Sequence, residues 1–264
     1  MLARRVHCGA VMELRRILVA AQPTPHAEAA LVIATRLARG RGGSLRRAAE
    51  GGGADDLLHE ARTWGAQLLV IGSAEPGAID ADIEESPLRV CARSPCPVLV
   101  TRAGHERYAP RADGFRRPVV GIDYSAFSEP AARLAIELTE KDGAVDLLHA
   151  FEPHPPGEGL SPGLERPAVT PAIEDERARE LRRLFHFADR VDTPDVAVEC
   201  HVELGGAAHQ IVEHAGRQEN DLCALGAHGR ENEIQRALGT VTDRVLELAP
   251  IPILLVPQHL AGAA

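Results

Sequence analysis

A loop between an apolar run and a helical pattern holds the residues best suited to bind phosphate. The run Leu222–Leu225 predicts a buried parallel strand, and the pattern after Thr240 is helical. Gly226, Gly229 and Gly239 stand between them. Glycine lets backbone N–H groups approach an anion, and a helix start adds unpaired N–H groups with partial positive charge. The spacing therefore favours a phosphate-binding loop.

The same residues also allow a purely structural interpretation. Gly226 could simply end the strand, Gly229 could turn the chain, and Thr240 could be an ordinary N-cap. In the phosphate-binding interpretation, the hydroxyls of Thr240 and Thr242 would donate to phosphate or bind a metal held by the phosphate. Spacing alone leaves both interpretations open.

The motif resembles the nucleotide loop of the universal stress protein family, as found in its ATP-binding members. That loop is G-x-x-G, nine residues, then G-T, and Gly226, Gly229, Gly239 and Thr240 reproduce it. The closing run Ala249–Val256 also resembles the family. The resemblance implies a regulatory stress-response protein that binds ATP with magnesium. Further matching residues beside the motif are Leu225, His228, Val241 and Thr242.

An aspartate about 100 residues upstream is predicted to reach the same crevice. Asp123 ends the predicted first strand of the second half, and Gly226 ends the fourth. In a doubly wound sheet, ligands bind at the carboxyl ends of those two strands, where the strand order reverses. The resemblance implies that Asp123 contacts the nucleoside end of ATP and that the backbone of Ala150 meets adenine. From the residues alone, Asp123 could instead cap a helix.

The expected ATP-binding set combines these positions. It comprises Asp123, Ala150, Leu225, Gly226, His228, Gly229, Gly239, Thr240, Val241 and Thr242. No Walker lysine, nucleophile elbow or paired-carboxylate motif accompanies them, so no catalytic residues are predicted. Because the family includes slow ATP hydrolysis and autophosphorylation, a weak enzyme of that kind is one alternative. A dimerisation module that binds no ligand is the other.

Three histidines raise the question of a metal site, which we do not expect. His209 and His214 are five residues apart on one predicted helix, so they should point to different faces. We therefore predict that His201, His209 and His214 are surface residues.

The two halves of the chain repeat in order, and the first is shorter. The offset between matched residues is 101 at the first strand and 154 at the fourth. The interval that is lost in the first half would hold two strands. The matched segments are Arg15–Val19 with Arg116–Val120, Leu57–Ala61 with Ile211–Ala215, Leu68–Gly72 with Leu222–Gly226, and Ser94–Val100 with Ala249–Leu255.

Alternating strand and helix patterns predict an α/β fold for the second half, with a doubly wound parallel five-stranded sheet. Its expected order, 3-2-1-4-5, is usual for the class and is also implied by the resemblance. Without strands 2 and 3, the first half is expected to be a three-stranded 1-4-5 remnant. The exposed edge of its strand 1 would need cover from the other half or from a partner chain.

These repeats set the expected domain boundaries. They are an N-terminal tail at 1–13, a truncated and degenerate universal stress protein domain at 14–103, a linker at 104–115, a complete domain with the ATP motif at 116–258, and a tail at 259–264. In the first half, Gln22 replaces Asp123, while Glu75 and Glu85 replace two loop glycines. Since carboxylates repel phosphate, one nucleotide per chain is expected.

Composition limits the partners. The net charge of −9 argues against broad binding to nucleic acid, and an aromatic content of 3% leaves few stacking platforms. No apolar run approaches the roughly 20 residues of a membrane helix. Five scattered cysteines without a C-x-x-C pair suggest reduced thiols in a cytoplasmic protein.

The expected partners are therefore an adenine nucleotide and an unidentified protein. The resemblance also implies a homodimer, often formed through the last strand. The two such strands of this chain, Val98–Thr101 and Ile253–Val256, could instead pair with each other as an intramolecular pseudo-dimer.

Overall fold

One central sheet runs through the computed structural model, which describes residues 14–20, 25–49, 51–73, 87–152, 170–191, 193–217, 219–227, 240–257 and 260. Within these residues the sheet has nine strands, with helices on both faces, so the α/β class is confirmed. The strands are β1 (Arg16–Val19), β2 (Ser44–Arg47), β3 (Leu68–Gly72), β4 (Val98–Thr101), β5 (Pro118–Gly121), β6 (Ala144–Phe151), β7 (Ala197–Leu204), β8 (Leu222–Gly226) and β9 (Ile253–Val256).

Seven α-helices connect these strands within the described residues. They are α1 (Pro25–Gly40), α2 (Ala54–Trp64), α3 (Pro87–Arg93), α4 (Ser128–Glu137), α5 (Pro171–Val191), α6 (Ala207–Arg217) and α7 (Thr240–Leu248), with a 3₁₀ helix at His105–Tyr108. None of the helices in this part of the chain combines the length and apolar character that a membrane span requires.

The second half has the strand order that the sequence predicts. Its parallel strands lie in the order β7-β6-β5-β8-β9, which is 3-2-1-4-5 when they are counted from β5. Helices α4 and α5 pack on one face of the sheet, and α6 and α7 pack on the other. The connections therefore switch faces between β5 and β8, which is where such sheets bind ligands.

The prediction of a three-stranded remnant in the first half is wrong. Strand β2 pairs in parallel with β1, so the order is β2-β1-β3-β4. The turn after α1 makes this possible, because Gly42 takes a φ of +60° and the Ser44 N–H then donates to the Arg15 carbonyl. Backbone hydrogen bonds of β1 are thereby satisfied by the chain itself. The edge of β1 needs no cover from the other half or from a partner.

The two halves meet strand to strand. Val98, Leu99 and Val100 of β4 pair antiparallel with Leu255, Leu254 and Ile253 of β9. The pairing within the chain that the sequence left open is therefore present. Alternate residues of both strands enter two apolar clusters, one on each face of the sheet. Each cluster takes side chains from both halves, so the cores divide by face and not by half.

A polar contact recurs at matching places in the two halves. The Gln67 Oε1 atom accepts the backbone N–H groups of Arg15 and Arg16, both at 2.9 Å. At the aligned position, the two carboxylate oxygens of Asp221 accept those of Arg116 and Arg117, at 2.6 and 3.0 Å. In each half this contact connects the residues before the first strand to those before the fourth.

The shared cores predict that a cavity in one half destabilises the other. Leu254 is fully buried in β9, and Leu254→Ala should lower the free energy of unfolding by about 2–5 kcal/mol. The single tryptophan, Trp64, lies in the first half and reports on it by fluorescence. Urea titrations should show the Trp64 and circular-dichroism transitions moving together.

The matched control for this prediction is Leu248→Ala, because Leu248 is 44% exposed. It should change stability by less than about 0.5 kcal/mol. A Trp64 transition that stays in place in Leu254→Ala while the rest of the chain unfolds earlier would show that the halves unfold separately.

His105, in the segment between the halves, should make stability depend on pH. Its ring is buried, and burial together with the charges of Arg102 and Arg107 lowers the pKa of His105 from 6.5 to about 4. Between those values the unfolded chain binds more protons, so the free energy of unfolding falls as the pH drops through this interval. We expect His105→Asn to flatten that dependence in urea titrations. The exposed His59→Asn is the control, and equal slopes in the two variants would refute the assignment.

Candidate functional site

The expected site residues lie at the carboxyl ends of three neighbouring strands. Strand β5 lies between β8 and β6 and is parallel to both. Asp123 follows the end of β5, Gly226 ends β8, and Ala150 is the penultimate residue of β6. All three therefore face the edge of the sheet where the connections switch faces.

A turn fixes the carboxylate of Asp123. Its Oδ1 atom accepts the Ser128 hydroxyl at 2.7 Å and the Ser125 N–H at 2.9 Å, and its own N–H donates to Ser128 Oγ at 3.1 Å. These bonds join the end of β5 to the start of α4 through a turn at residues 123–125. The N-cap position of α4, Phe127, has no side-chain cap, so Asp123 orients this turn and does not cap the helix. A carboxylate that is oriented in this way can still accept hydrogen bonds from a ligand, because each oxygen has two lone pairs.

Tyr124 holds this turn from the other side. Its φ is +60°, in the left-handed region that costs a non-glycine residue on the order of 1 kcal/mol. Contacts of the Tyr124 ring offset this cost. The ring centroid lies 4.6 Å from that of His149 and 3.8 Å from the Arg183 Cζ atom, which stands over the ring. Burial raises the pKa of the Tyr124 phenol, which therefore stays neutral. Sequence reasoning did not identify this residue, because its role depends on α5.

His149 connects the ends of β5 and β6 beside Ala150. Its Nδ1 atom donates to the Ile122 carbonyl at 2.7 Å, and its Nε2 atom lies 3.5 Å from a carboxylate oxygen of Glu180. Ala150 is half-buried. Its neighbour His149 therefore joins the ends of the two strands beside the position that is expected to meet adenine.

Helix α7 begins close to the end of β8. The Thr242 hydroxyl donates to the Gly226 carbonyl at 3.3 Å, and Thr242 is buried. Leu225 is also buried, in the apolar cluster on the α6 and α7 face, so its backbone alone could meet a ligand. Val241 is exposed beside the helix start. The hydroxyl of Thr242 thus holds the helix start against the strand.

The remaining loop positions stay predictions. His228, Gly229 and Gly239 lie outside the described residues, and Thr240 is described only as the first residue of α7. The first-half counterparts Gln22, Glu75 and Glu85 also lie outside them, as do the tail at 1–13 and most of the tail at 259–264.

A second polar cluster, which sequence reasoning missed, lies nearer the amino ends of the same strands. The buried carboxylate of Asp146 in β6 accepts Arg117 Nε and Nη2 at 3.0 and 2.9 Å, and Asn220 Nδ2 at 2.9 Å. The Nε2 atoms of His214 and His201 lie 3.2 and 3.4 Å from its oxygens. Burial raises the pKa of Asp146, but the polar and cationic groups around it outweigh burial and hold that pKa far below its usual range.

The prediction that His214 is a surface residue is wrong. His214 is 5% exposed, because it stands three residues after Ile211 on the buried face of α6. His209 is exposed, as predicted, and His201 is intermediate. The ring centroids of His201 and His214 are 4.6 Å apart, so the structure brings together two of the three histidines.

A cavity of about 360 Å³ opens at the amino-terminal edge of the second half's strands. Three arginines and three carboxylates balance each other there, and Asp221 already accepts two backbone N–H groups. The cavity therefore offers no excess positive charge for a phosphate. Its charged lining residues are Arg107, Arg111, Arg116, Glu140, Glu219 and Asp221.

Comparison with known proteins points to one family. Residues 114–257 match the universal stress protein family. A universal stress protein of Mycobacterium tuberculosis is 32% identical over 200 residues, which are 73% of this chain and 62% of the relative. One from Methanocaldococcus jannaschii is 26% identical over 151 residues, 54% of this chain and 83% of the relative. The chain thus spans less than two thirds of the mycobacterial relative's length.

Solved structures share the fold along nearly the whole chain. A universal stress protein from Archaeoglobus fulgidus has a TM-score of 0.63 at 12% identity, covering 92% of this chain and 98% of its own. A protein of unknown function from Pseudomonas aeruginosa has a TM-score of 0.57 at 15% identity, covering 95% and 97%. These likenesses show the fold alone.

The cluster around Asp146 predicts a large cost for removing its main cation. Arg117→Met leaves a fully buried carboxylate without its guanidinium, which should cost about 3 kcal/mol in urea titrations. The matched control is Arg16→Met, at the aligned exposed position of the first half, which should cost less than about 0.5 kcal/mol. Equal losses in the two variants would show that Asp146 does not depend on Arg117.

Proposed function

The chain belongs to the universal stress protein family, and from that premise we propose that its second half binds an adenine nucleotide, ATP with magnesium. One observation carries the proposal. Asp123 follows the end of β5 and Gly226 ends β8, and these two strands are parallel, hydrogen-bonded neighbours at the point where the connections switch faces. Nucleotides bind at such points because strand ends, helix starts and loops converge there.

Each residue has a role that follows from its chemistry. Asp123, held by Ser125 and Ser128, accepts hydrogen bonds from ribose hydroxyls. The backbone at Ala150 meets the edge of adenine. The phosphates lie against the loop and the start of α7, where backbone N–H groups are available. The loop and helix positions in this role are Leu225, Gly226, His228, Gly229, Gly239, Thr240, Val241 and Thr242.

The biological role proposed is regulatory. Nucleotide occupancy would change the surface that a protein partner meets in the cytoplasm, in response to stress. The first half is proposed to be a degenerate domain of the same family in tandem, without a site of its own. The chain would then bind one nucleotide, whether it is a monomeric pseudo-dimer or pairs with a second copy.

The test is Asp123→Asn, measured by calorimetric titration with ATP and magnesium. Asparagine can still accept the Ser125 N–H and the Ser128 hydroxyl, so the turn and the melting temperature without nucleotide should persist. The negative charge and one acceptor are lost, which should weaken ATP binding by about 10- to 100-fold. The parent protein should bind one ATP per chain.

The control is Asp189→Asn, which changes a carboxylate that is 82% exposed on α5. It should bind ATP like the parent. Unchanged affinity in Asp123→Asn, or no ATP binding by the parent at millimolar nucleotide, would overturn the proposal. Two nucleotides per chain would overturn the assignment of the first half as a degenerate domain.

A further inference from the structure

The geometry points to a divalent metal site of the zinc class, formed by Asp146, His201 and His214. These residues come from β6, β7 and α6, so three separate elements supply one ligand each. One ligand atom of each residue lies within 4.8 Å of the other two. The site is independent of the proposed nucleotide crevice, because Asp146 stands four residues before Ala150 on β6, about 13 Å along the strand.

The distances suit a tetrahedral ion. Zinc binds imidazole nitrogen and carboxylate oxygen at about 2.1 Å, which puts neighbouring ligand atoms about 3.4 Å apart. His214 Nε2 lies 3.2 Å from Asp146 Oδ2, and His201 Nε2 lies 3.4 Å from Asp146 Oδ1. The two histidines face different oxygens of the carboxylate, and one ligand atom of each residue lies within 4.8 Å of the others, so coordination would draw both nitrogens toward one oxygen.

One of the nitrogens lacks a hydrogen-bonding partner. The Nε2 atom of His201 is buried and makes no hydrogen bond, although it faces Asp146 and lies 3.8 Å from Glu199 Oε2. Leaving a buried polar atom without a partner costs free energy. A bound cation would remove that cost, and Glu199 could supply the fourth ligand.

The local charge favours a cation even though Arg117 is close. Asp146 and Glu199 contribute two negative charges and Arg117 one positive, which leaves one net negative charge when the histidines are neutral. Arg117 and Asn220 also donate to the Asp146 carboxylate and so fix its orientation. Hydrogen bonds of this kind hold the ligands of many metal sites in place.

The first half shows that the repeat alone does not require these residues. The positions aligned with Asp146 and His214 are Arg46 and Glu60, whose charged groups lie 3.9 Å apart. Both halves thus connect the second strand to a helix by a polar pair. The first-half pair offers one carboxylate beside an arginine, whereas the second half brings two histidines to its carboxylate, so one ion per chain is expected.

The test is calorimetric titration of the full chain, without an affinity tag and after treatment with a chelator, with zinc chloride. We expect one ion per chain and a higher melting temperature with zinc. His201→Gln, a change at a partly exposed residue, should weaken zinc binding by more than about 100-fold, beyond the 10- to 100-fold loss typical of outer partners. Cobalt should give the intense visible absorption of a four-coordinate ion.

Two controls separate this site from others on the chain. His209→Gln alters an exposed histidine of α6 and should bind zinc like the parent. Asp123→Asn should also bind zinc like the parent, whatever its effect on ATP. Absence of one-to-one zinc binding by the parent at about 100 micromolar zinc would overturn the site. So would parent-like affinity in a folded His201→Gln variant.

Discussion

The antiparallel pairing of β4 with β9 is the contact on which the rest of the structure depends. Both strands are only four residues long, and all their side chains are buried. Because their residues alternate between the two faces, every helix layer on either side of the sheet rests on strands from both halves. The shorter first half thereby gains a core that its own strands could not supply, since small sheets bury too little apolar surface to be stable alone.

The two halves use one scaffold for different purposes. Gln67 and Asp221 accept the same backbone N–H groups at the amino ends of the strands, so both halves have this structural connection. At a neighbouring pair of aligned positions, the first half has Arg46 and Glu60 where the second has Asp146 and His214. Shared backbone geometry thus constrains where polar residues stand, while their chemistry is free to diverge.

The sequence was informative where hydrophobic patterns are strong. The apolar runs at Leu68–Gly72 and Leu222–Gly226 form strands with the same burial pattern, and Asp123 lies beside the end of β8 because parallel neighbours share an edge. β2 was missed because Ser44–Arg47 is mostly polar and exposed, and its pairing depends on backbone hydrogen bonds that leave no side-chain signal.

The cluster around Asp146 was missed for a different reason. Its members come from five separated stretches of chain, and spacing within one helix cannot reveal them. One signal was present, since His214 falls on the same helical stripe as Ile211 and Ala215. A histidine on an apolar stripe faces the core, where polar side chains need a hydrogen-bonding partner, and the lone aspartate in the apolar strand β6 was the available partner.

The antiparallel direction of the β4–β9 pairing also limits how a structural change in one half could affect the other. All first-half strands run parallel to β4, and all second-half strands run parallel to β9, so the two sets point in opposite directions. The carboxyl ends of β5 and β8, near Asp123 and Gly226, therefore lie at the opposite edge of the sheet from the carboxyl ends of β1 and β3. Within the described residues, these two edges are connected through the strands themselves, so a change of twist or shear of the sheet is the route by which one edge could affect the other.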